Sequence, residues 1–210
     1  MTVDVPNPVK AVVFDVGNVL YHWDPRFLYE RLIDDDQALA AFLRDVVTQE
    51  WHFQHDAGRP FAETSAELIA RYPEHDALIA AWGPRFNESI GGPVPGMAEI
   101  VAELDAAGVP LYAITNFSGE FWPPFRATAP ELFDRFRDVV VSGDEKLVKP
   151  DPAIYALALR RFGLAPGEAV FVDDNLANVA AADAAGLRAV HFSDAAAFRA
   201  ELVRLGLLPE

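Results

Sequence analysis

Ala11-Val12-Val13-Phe14-Asp15-Val16-Gly17-Asn18 opens with four apolar residues and stops on a carboxylate. A run of this kind reads as a buried strand of a parallel sheet with a polar residue at its carboxyl end. Three further runs repeat the form: Leu111-Tyr112-Ala113-Ile114 before Thr115, Val139-Val140-Val141 before Ser142, and Val170-Phe171-Val172 before Asp173. A fifth, Arg188-Ala189-Val190-His191-Phe192, follows. Helical patterns separate them. Residues 97–107 are apolar at helical spacing and stop at Gly108, a residue suited to closing a helix. Asp151 before Pro152 starts a helix that runs to Phe162 and Gly163. Asn175 caps a third over 176–185, and a last one covers 195–205. Strands alternating with helices predict an α/β fold built on a doubly wound parallel sheet. Ligands of such sheets bind at the carboxyl ends of the strands. Asp15, Thr115 and the pair Asp173-Asp174 are all expected there.

Residues 21–92 interrupt the alternation. They carry helical patterns over 26–33, 36–47, 61–71 and 75–86 and show no strand pattern. The stretch ends in Gly91-Gly92-Pro93-Val94-Pro95-Gly96, which reads as a linker. The expected organisation is a core of 1–20 and 93–210, with 21–92 inserted after the first strand as a helical cap over the strand ends.

Composition bounds the chemistry. The 210 residues, 51% of them hydrophobic, can bury one sizeable core. A net charge of -15 repels nucleic acid and anionic membranes, so neither is an expected partner. With no cysteine, thiolate catalysis, disulfides and cysteine-based zinc sites are excluded. Residues 1–10 lack the apolar stretch of a signal peptide, and no run approaches a membrane span. A cytoplasmic location is the default expectation, with a monomer or homodimer as the assembly.

Four pieces carry the candidate chemistry. Asp15, followed by Gly17 and Asn18, is a carboxylate in a tight loop whose N–H groups can face an anion. Thr115 and Asn116 offer a hydroxyl and an N–H at a strand end. Lys149, fixed before the capped helix at Asp151, can neutralise charge. Asp173 and Asp174, with Asn175 and Asn178 after them, are oxygen ligands suited to Mg²⁺. Each piece has a plainer alternative: a turn cap, a turn residue, a solvated lysine, a surface loop. Their common order and common placement at strand ends favour a single site.

In that order they resemble the four motifs of the haloacid dehalogenase (HAD) superfamily, across nearly the whole chain. Closer still, Phe14-Asp15-Val16-Gly17-Asn18-Val19, the pair Trp122-Pro123, Phe171-Val172-Asp173-Asp174-Asn175, and His52, His55 and Gly58 are similar to the bacterial α-D-glucose-1-phosphate phosphatase group. The resemblance implies a HAD-type Rossmannoid core and a phosphomonoester hydrolase in which Asp15 attacks phosphorus and carries it as an aspartyl phosphate. It implies Mg²⁺ held by Asp15, the Gly17 carbonyl and Asp174, with Asp173 ligating directly or through water. Thr115 and the Asn116 N–H would orient the phosphoryl oxygens, and Lys149 would offset their charge. The implied substrate is a small phosphorylated metabolite, with a sugar phosphate favoured.

One residue departs from the family pattern. Most HAD phosphatases have a second Asp two residues after the nucleophile, acting as general acid and base; here Gly17 stands in its place. Either the leaving group needs little help, as an anomeric phosphate does, or His22, Asp24, His52 or His55 substitutes. Two other functions compete: 2-haloacid dehalogenation by Asp15 at carbon, and non-catalytic phosphometabolite binding. Trp23, Trp51, His52, His55, Trp82 and Arg85 are candidates for substrate contacts.

Overall fold

The structure is a computed structural model, and it describes residues 8–210. The part of the expected core before Pro8 lies outside the described residues. Ala11–Phe14 forms strand β1, Tyr21–Trp23 β2, Ile90–Pro93 β3, Leu111–Thr115 β4, Asp138–Val141 β5, Ala169–Asp173 β6 and Arg188–His191 β7. Five of these make one parallel sheet in the order β5-β4-β1-β6-β7. From β1 the chain winds outward to β4 and β5, then returns to lay β6 on the other side of β1. The direction of winding therefore reverses between β1 and β6, where α/β sheets open a crevice for ligands.

The two faces of the sheet are sorted by the alternation of side chains along each strand. Val12, Phe14, Leu111, Ala113, Val170 and Val172 pack on one face, under the helices Met97–Ala106 and Ala195–Arg204. Ala11, Val13, Tyr112, Ile114, Ala169 and Phe171 pack on the other, under the helix Pro152–Phe162 and Ala182 of the helix Leu176–Ala184. All four β1 residues are buried because both faces are covered. The helix caps expected at Asp151 and Asn175 form: each side chain accepts a hydrogen bond from the second backbone N–H beyond it, Ala153 and Ala177 respectively.

The inserted segment differs from expectation in three ways. First, it is bracketed by an antiparallel ribbon, β2 with β3, where no strand was expected. Gly91 and Gly92, read as linker, lie inside β3. A Cβ on Gly91 would meet His22 Cβ and Phe27 Cε2 at 3.0 Å, so close packing of the ribbon accounts for that glycine. Second, the helical pattern over 75–86 breaks into Asp76–Ala81 and a 3-10 turn at Phe86–Ser89, because Pro84 cannot continue a helix. Helix 26–33 likewise shortens to Arg26–Tyr29. Third, an unexpected helix, Gln49–Asp56, is capped by Thr48, whose hydroxyl accepts from Trp51 N. Tyr29, Phe42, Trp51, Trp82 and Phe86 form the apolar interior of this segment, and Phe86 stacks on Phe121 of the core with ring centroids 4.6 Å apart.

Candidate active site

Because β1 and β6 are neighbours in register, Phe14 beside Val172, the residues that follow them face each other. Asp15 N donates to Val172 O, which holds the loop after β1 against β6. Asn18 then turns the chain with φ of 55°, a left-handed conformation that asparagine tolerates. Its Oδ1 accepts from Trp23 N at 3.0 Å, tying the loop to the ribbon, and its side chain also hydrogen-bonds Asp174.

Lys149 is the centre of the arrangement. It is 2% exposed, and its Nζ lies 2.7 Å from Asp15 Oδ1 and 2.7 Å from Asp173 Oδ2. Burial opposes its charge, yet the two carboxylates hold its pKa above the ordinary lysine value. Burial pushes Asp15 the other way, above the usual carboxylate range; Lys149 counters that push and Asp173 adds to it. The Lys149 backbone is gripped at two points by one side chain: Asn116 Oδ1 accepts from Lys149 N at 2.8 Å, and Asn116 Nδ2 donates to Lys149 O at 3.0 Å.

Asp173 is fully buried and saturated with donors. Asn178 Nδ2 reaches both its oxygens, Asn175 N donates to Oδ1, and Lys149 Nζ donates to Oδ2. Asp174, next in sequence, is exposed and lines the cavity. One ligand atom from each of Asp15, Asp173 and Asp174 falls within 4.8 Å of the others. Hard carboxylate oxygens at that spacing fit a magnesium-sized cation. With Asp173 so engaged, Asp15 and Asp174 are the freer of the three.

A cavity of about 360 Å³ opens over this floor. Asp15, Gly17, Asn18, Asn116, Lys149 and Asp174, all singled out in the sequence, line it. Thr115 and Asp173 do not; both lie behind its surface, 1% and 0% exposed. The opposite wall is aromatic, with Tyr21, Trp23, Phe53, Phe86, Phe117 and Phe125.

The proposed stand-ins for the missing acid separate cleanly. His22 and Asp24 are exposed on the ribbon side and do not line the cavity; Asp24 accepts from Arg26 N. His55 is buried against the Thr64 hydroxyl at 2.6 Å and does not line it either. His52 does line it, stacked on Trp23 with centroids 4.7 Å apart. Trp51 and Trp82 belong to the interior of the inserted segment, and Arg85 pairs with Glu88. Trp122 packs between Phe117 and Phe133 as core. Several cavity residues escaped the sequence reading, and the one acid among them is Asp56, 5% exposed, at the end of the unexpected helix. Its signal was slight, an acid four residues after His52 and two before a glycine.

Comparison with known proteins agrees with the fold. Residues 9–186 match the family described as haloacid dehalogenase-like hydrolase. The chain is 30% identical to the sesquiterpene phosphatase astK of Aspergillus oryzae, over 93% of this chain and 96% of that protein. It is 38% identical to Protein CbbY of Cereibacter sphaeroides, over 87% and 83% respectively. Among solved structures, a HAD family enzyme of Bacteroides thetaiotaomicron in complex with magnesium and inorganic phosphate superposes with a TM-score of 0.66 at 21% identity, covering 89% of this chain and 95% of that one. The L-2-haloacid dehalogenase of Xanthobacter autotrophicus, with chloropropionic acid covalently bound, gives 0.62 at 23%, covering 96% and 85%. The chain is a hydrolase and belongs to the haloacid dehalogenase-like family.

Proposed function

We propose that the protein is a Mg²⁺-dependent phosphomonoester hydrolase acting on a small phosphorylated metabolite through an aspartyl phosphate at Asp15. The observation that carries this reading is the Asp15–Lys149–Asp173 chain of 2.7 Å contacts beside Asp174, on the floor of a cavity. Asp15, the Gly17 carbonyl and Asp174 would hold the cation, which when bound lowers the repulsion between a carboxylate and a phosphate dianion. Asp15 supplies the attacking oxygen. Lys149 neutralises charge gathering between nucleophile and phosphoryl group. Asn116, on the cavity surface, orients the phosphoryl oxygens with Thr115 behind it. Asp173 is a positioning residue that fixes the Lys149 ammonium. Residues 21–92 act as the cap that encloses the substrate.

A sugar phosphate, as in the glucose-1-phosphate phosphatases, suits the wall opposite the floor. Aromatic rings stack on the C–H faces of sugars, and the buried Trp23 Nε1 has no partner of its own, leaving it for a hydroxyl. A second reading, favoured by the same rings, gives the leaving group an apolar body such as a terpenoid; the relative from Aspergillus oryzae is named for a sesquiterpene. Dehalogenation is disfavoured, since a reaction at carbon has no use for Asp174 beside Asp15.

The test is phosphate release from sugar phosphates and a terpenyl phosphate, with Mg²⁺ and with EDTA, beside halide release from 2-chloropropionate. The reading expects phosphate release that EDTA abolishes and that Asp15→Asn lowers at least about 10³-fold. Halide release resistant to EDTA, or phosphate release equal in Asp15→Asn, contradicts it.

A further inference from the structure

Gly17 leaves the floor of the site without a proton donor, and no steric reason explains the glycine. A Cβ built there meets nothing within 4 Å, and the backbone is not left-handed. A phosphate ester with an ordinary alcohol as leaving group still needs a proton as its P–O bond breaks.

We propose that Asp56, reaching the cavity from the helix Gln49–Asp56, is the general acid and base of this site. The inference rests on the phosphatase reading above and goes beyond it.

Geometry makes the case. Asp56 lines the same cavity as Asp15, Gly17 and Lys149. Its Oδ1 is buried and has no hydrogen-bond partner. Native proteins pair nearly all such atoms, so an unpaired one beside a cavity calls for an explanation, and a catalytic role is one. Its Oδ2 lies 3.4 Å from His52 Nε2, so the two oxygens differ: one faces an imidazole and the other is buried without a partner. The backbone behind it is anchored to the core, because the Ser142 hydroxyl donates to Asp56 O at 2.6 Å. Next along, Gly58 adopts φ of 89° with so little room that a Cβ would stand 2.7 Å from Gly143 O. Asp56 is therefore fixed relative to the floor, although it belongs to the inserted segment.

The electrostatics agree. Burial raises the Asp56 pKa to about 8; Lys149 opposes this and Asp15 adds to it. Of the groups around Asp56, His52 is neutral, its pKa pushed down to about 3 by burial and by His55, and Ser142 carries no charge. Asp56 thus holds its proton near neutral pH, where an acid is needed.

The proton balance closes. As an Asp15 oxygen bonds to phosphorus, the bond from phosphorus to the ester oxygen breaks, and Asp56 gives its proton to that oxygen to form the alcohol. The Asp56 carboxylate then takes a proton from water as the water oxygen bonds to phosphorus and the bond to Asp15 breaks. Phosphate leaves, Asp15 is again a carboxylate and Asp56 is again protonated.

The experiment compares p-nitrophenyl phosphate, whose leaving group departs without a proton, with phenyl phosphate, whose leaving group is far more basic. The proteins are wild type, Asp56→Asn and Asp15→Asn, all in Mg²⁺, and kcat/KM reads the steps through loss of the leaving group. In Asp56→Asn the ratio of kcat/KM for p-nitrophenyl over phenyl phosphate is expected to rise about 10²-fold, the usual size of a general-acid contribution. The fall of wild-type kcat/KM for phenyl phosphate above about pH 8 should disappear with it. Residual p-nitrophenyl phosphate turnover shows that the variant folds. An unchanged ratio, whether both activities fall together or neither falls, overturns the role of Asp56 and leaves the phosphatase reading standing. A wild type no more active than Asp15→Asn on both esters overturns both.

Discussion

Lys149 owes its position to three neighbours, and each is open to substitution. Two carboxylates hold its ammonium and the Asn116 amide grips its backbone. Lys149→Met should lower kcat by about 10²–10³-fold, as loss of one preorganised charge does. It should also cost about 3–5 kcal/mol of stability, because Asp15 and Asp173 stay buried without their counter-charge. Denaturant unfolding measures the second effect, and an unchanged midpoint would contradict the buried ion pair. Asp56 gives a prediction of opposite character. Burial raises its folded pKa from the ordinary aspartate value of 3.8 to about 8, so between those limits the folded protein keeps a proton that the unfolded chain has lost. Stability contributed by that proton is complete below about 4, declines as pH rises, and is gone above about 8. Asp56→Asn, which mimics the protonated acid, should therefore gain on wild type in melting temperature from pH 5 to pH 8 and level off beyond. A constant difference would mean that Asp56 is charged throughout.

Elements differ in how openly the chain declares them. The central strands β1, β4 and β6 are legible because each is a short apolar run, buried on both faces and closed by a polar residue, while the edge strands β5 and β7 are only partly buried. The helices at Asp151 and Asn175 are legible because their caps are local, a side chain bonding to an N–H two residues on. The ribbon was hidden: three and four residues long, with Gly91, Gly92 and Pro93 in one strand, it shows turn composition and no alternation. The helix Gln49–Asp56 was hidden because it buries Trp51, His52, His55 and Asp56 rather than a plain apolar stripe. Asp15 and Asp174 could be singled out from the sequence by the strands before them, and Lys149 by the capped helix after it. Asp56 could not, because only tertiary packing distinguishes it from the other acids of a chain with 32. The junction that seats it is testable. Gly58→Ala adds a Cβ where φ is 89° and Gly143 O stands 2.7 Å away. It should cost on the order of 1–3 kcal/mol, read by thermal unfolding. Turnover should fall as well, since the strain falls beside Asp56. Full activity and stability would show that this contact is dispensable.

At the scale of the molecule, one cavity joins two unlike surfaces. Its floor comes from the sheet, where β1 and β6 meet at the reversal of winding, and it gathers carboxylates around one ammonium. Its aromatic lining comes from Tyr21, Trp23, Phe53 and Phe86 together with Phe117 and Phe125 of the core, and Asp56 joins it. The net charge of -15 makes such a floor costly to build for an anionic substrate unless a cation joins it. Among the described residues no helix is long and apolar enough to cross a membrane. The proposed function would place phosphoryl chemistry on the sheet and recognition of the leaving group on residues 21–92, and all of it turns on Asp15 bonding to phosphorus. The direct test is to quench the enzyme in acid during steady turnover of a phosphate ester, reduce with borohydride and locate the altered residue by mass spectrometry. The account predicts a reducible phosphoryl adduct at Asp15 that appears only with substrate and is missing in Asp15→Asn. Turnover with Asp15 unmodified, or with the adduct on another residue, would contradict it.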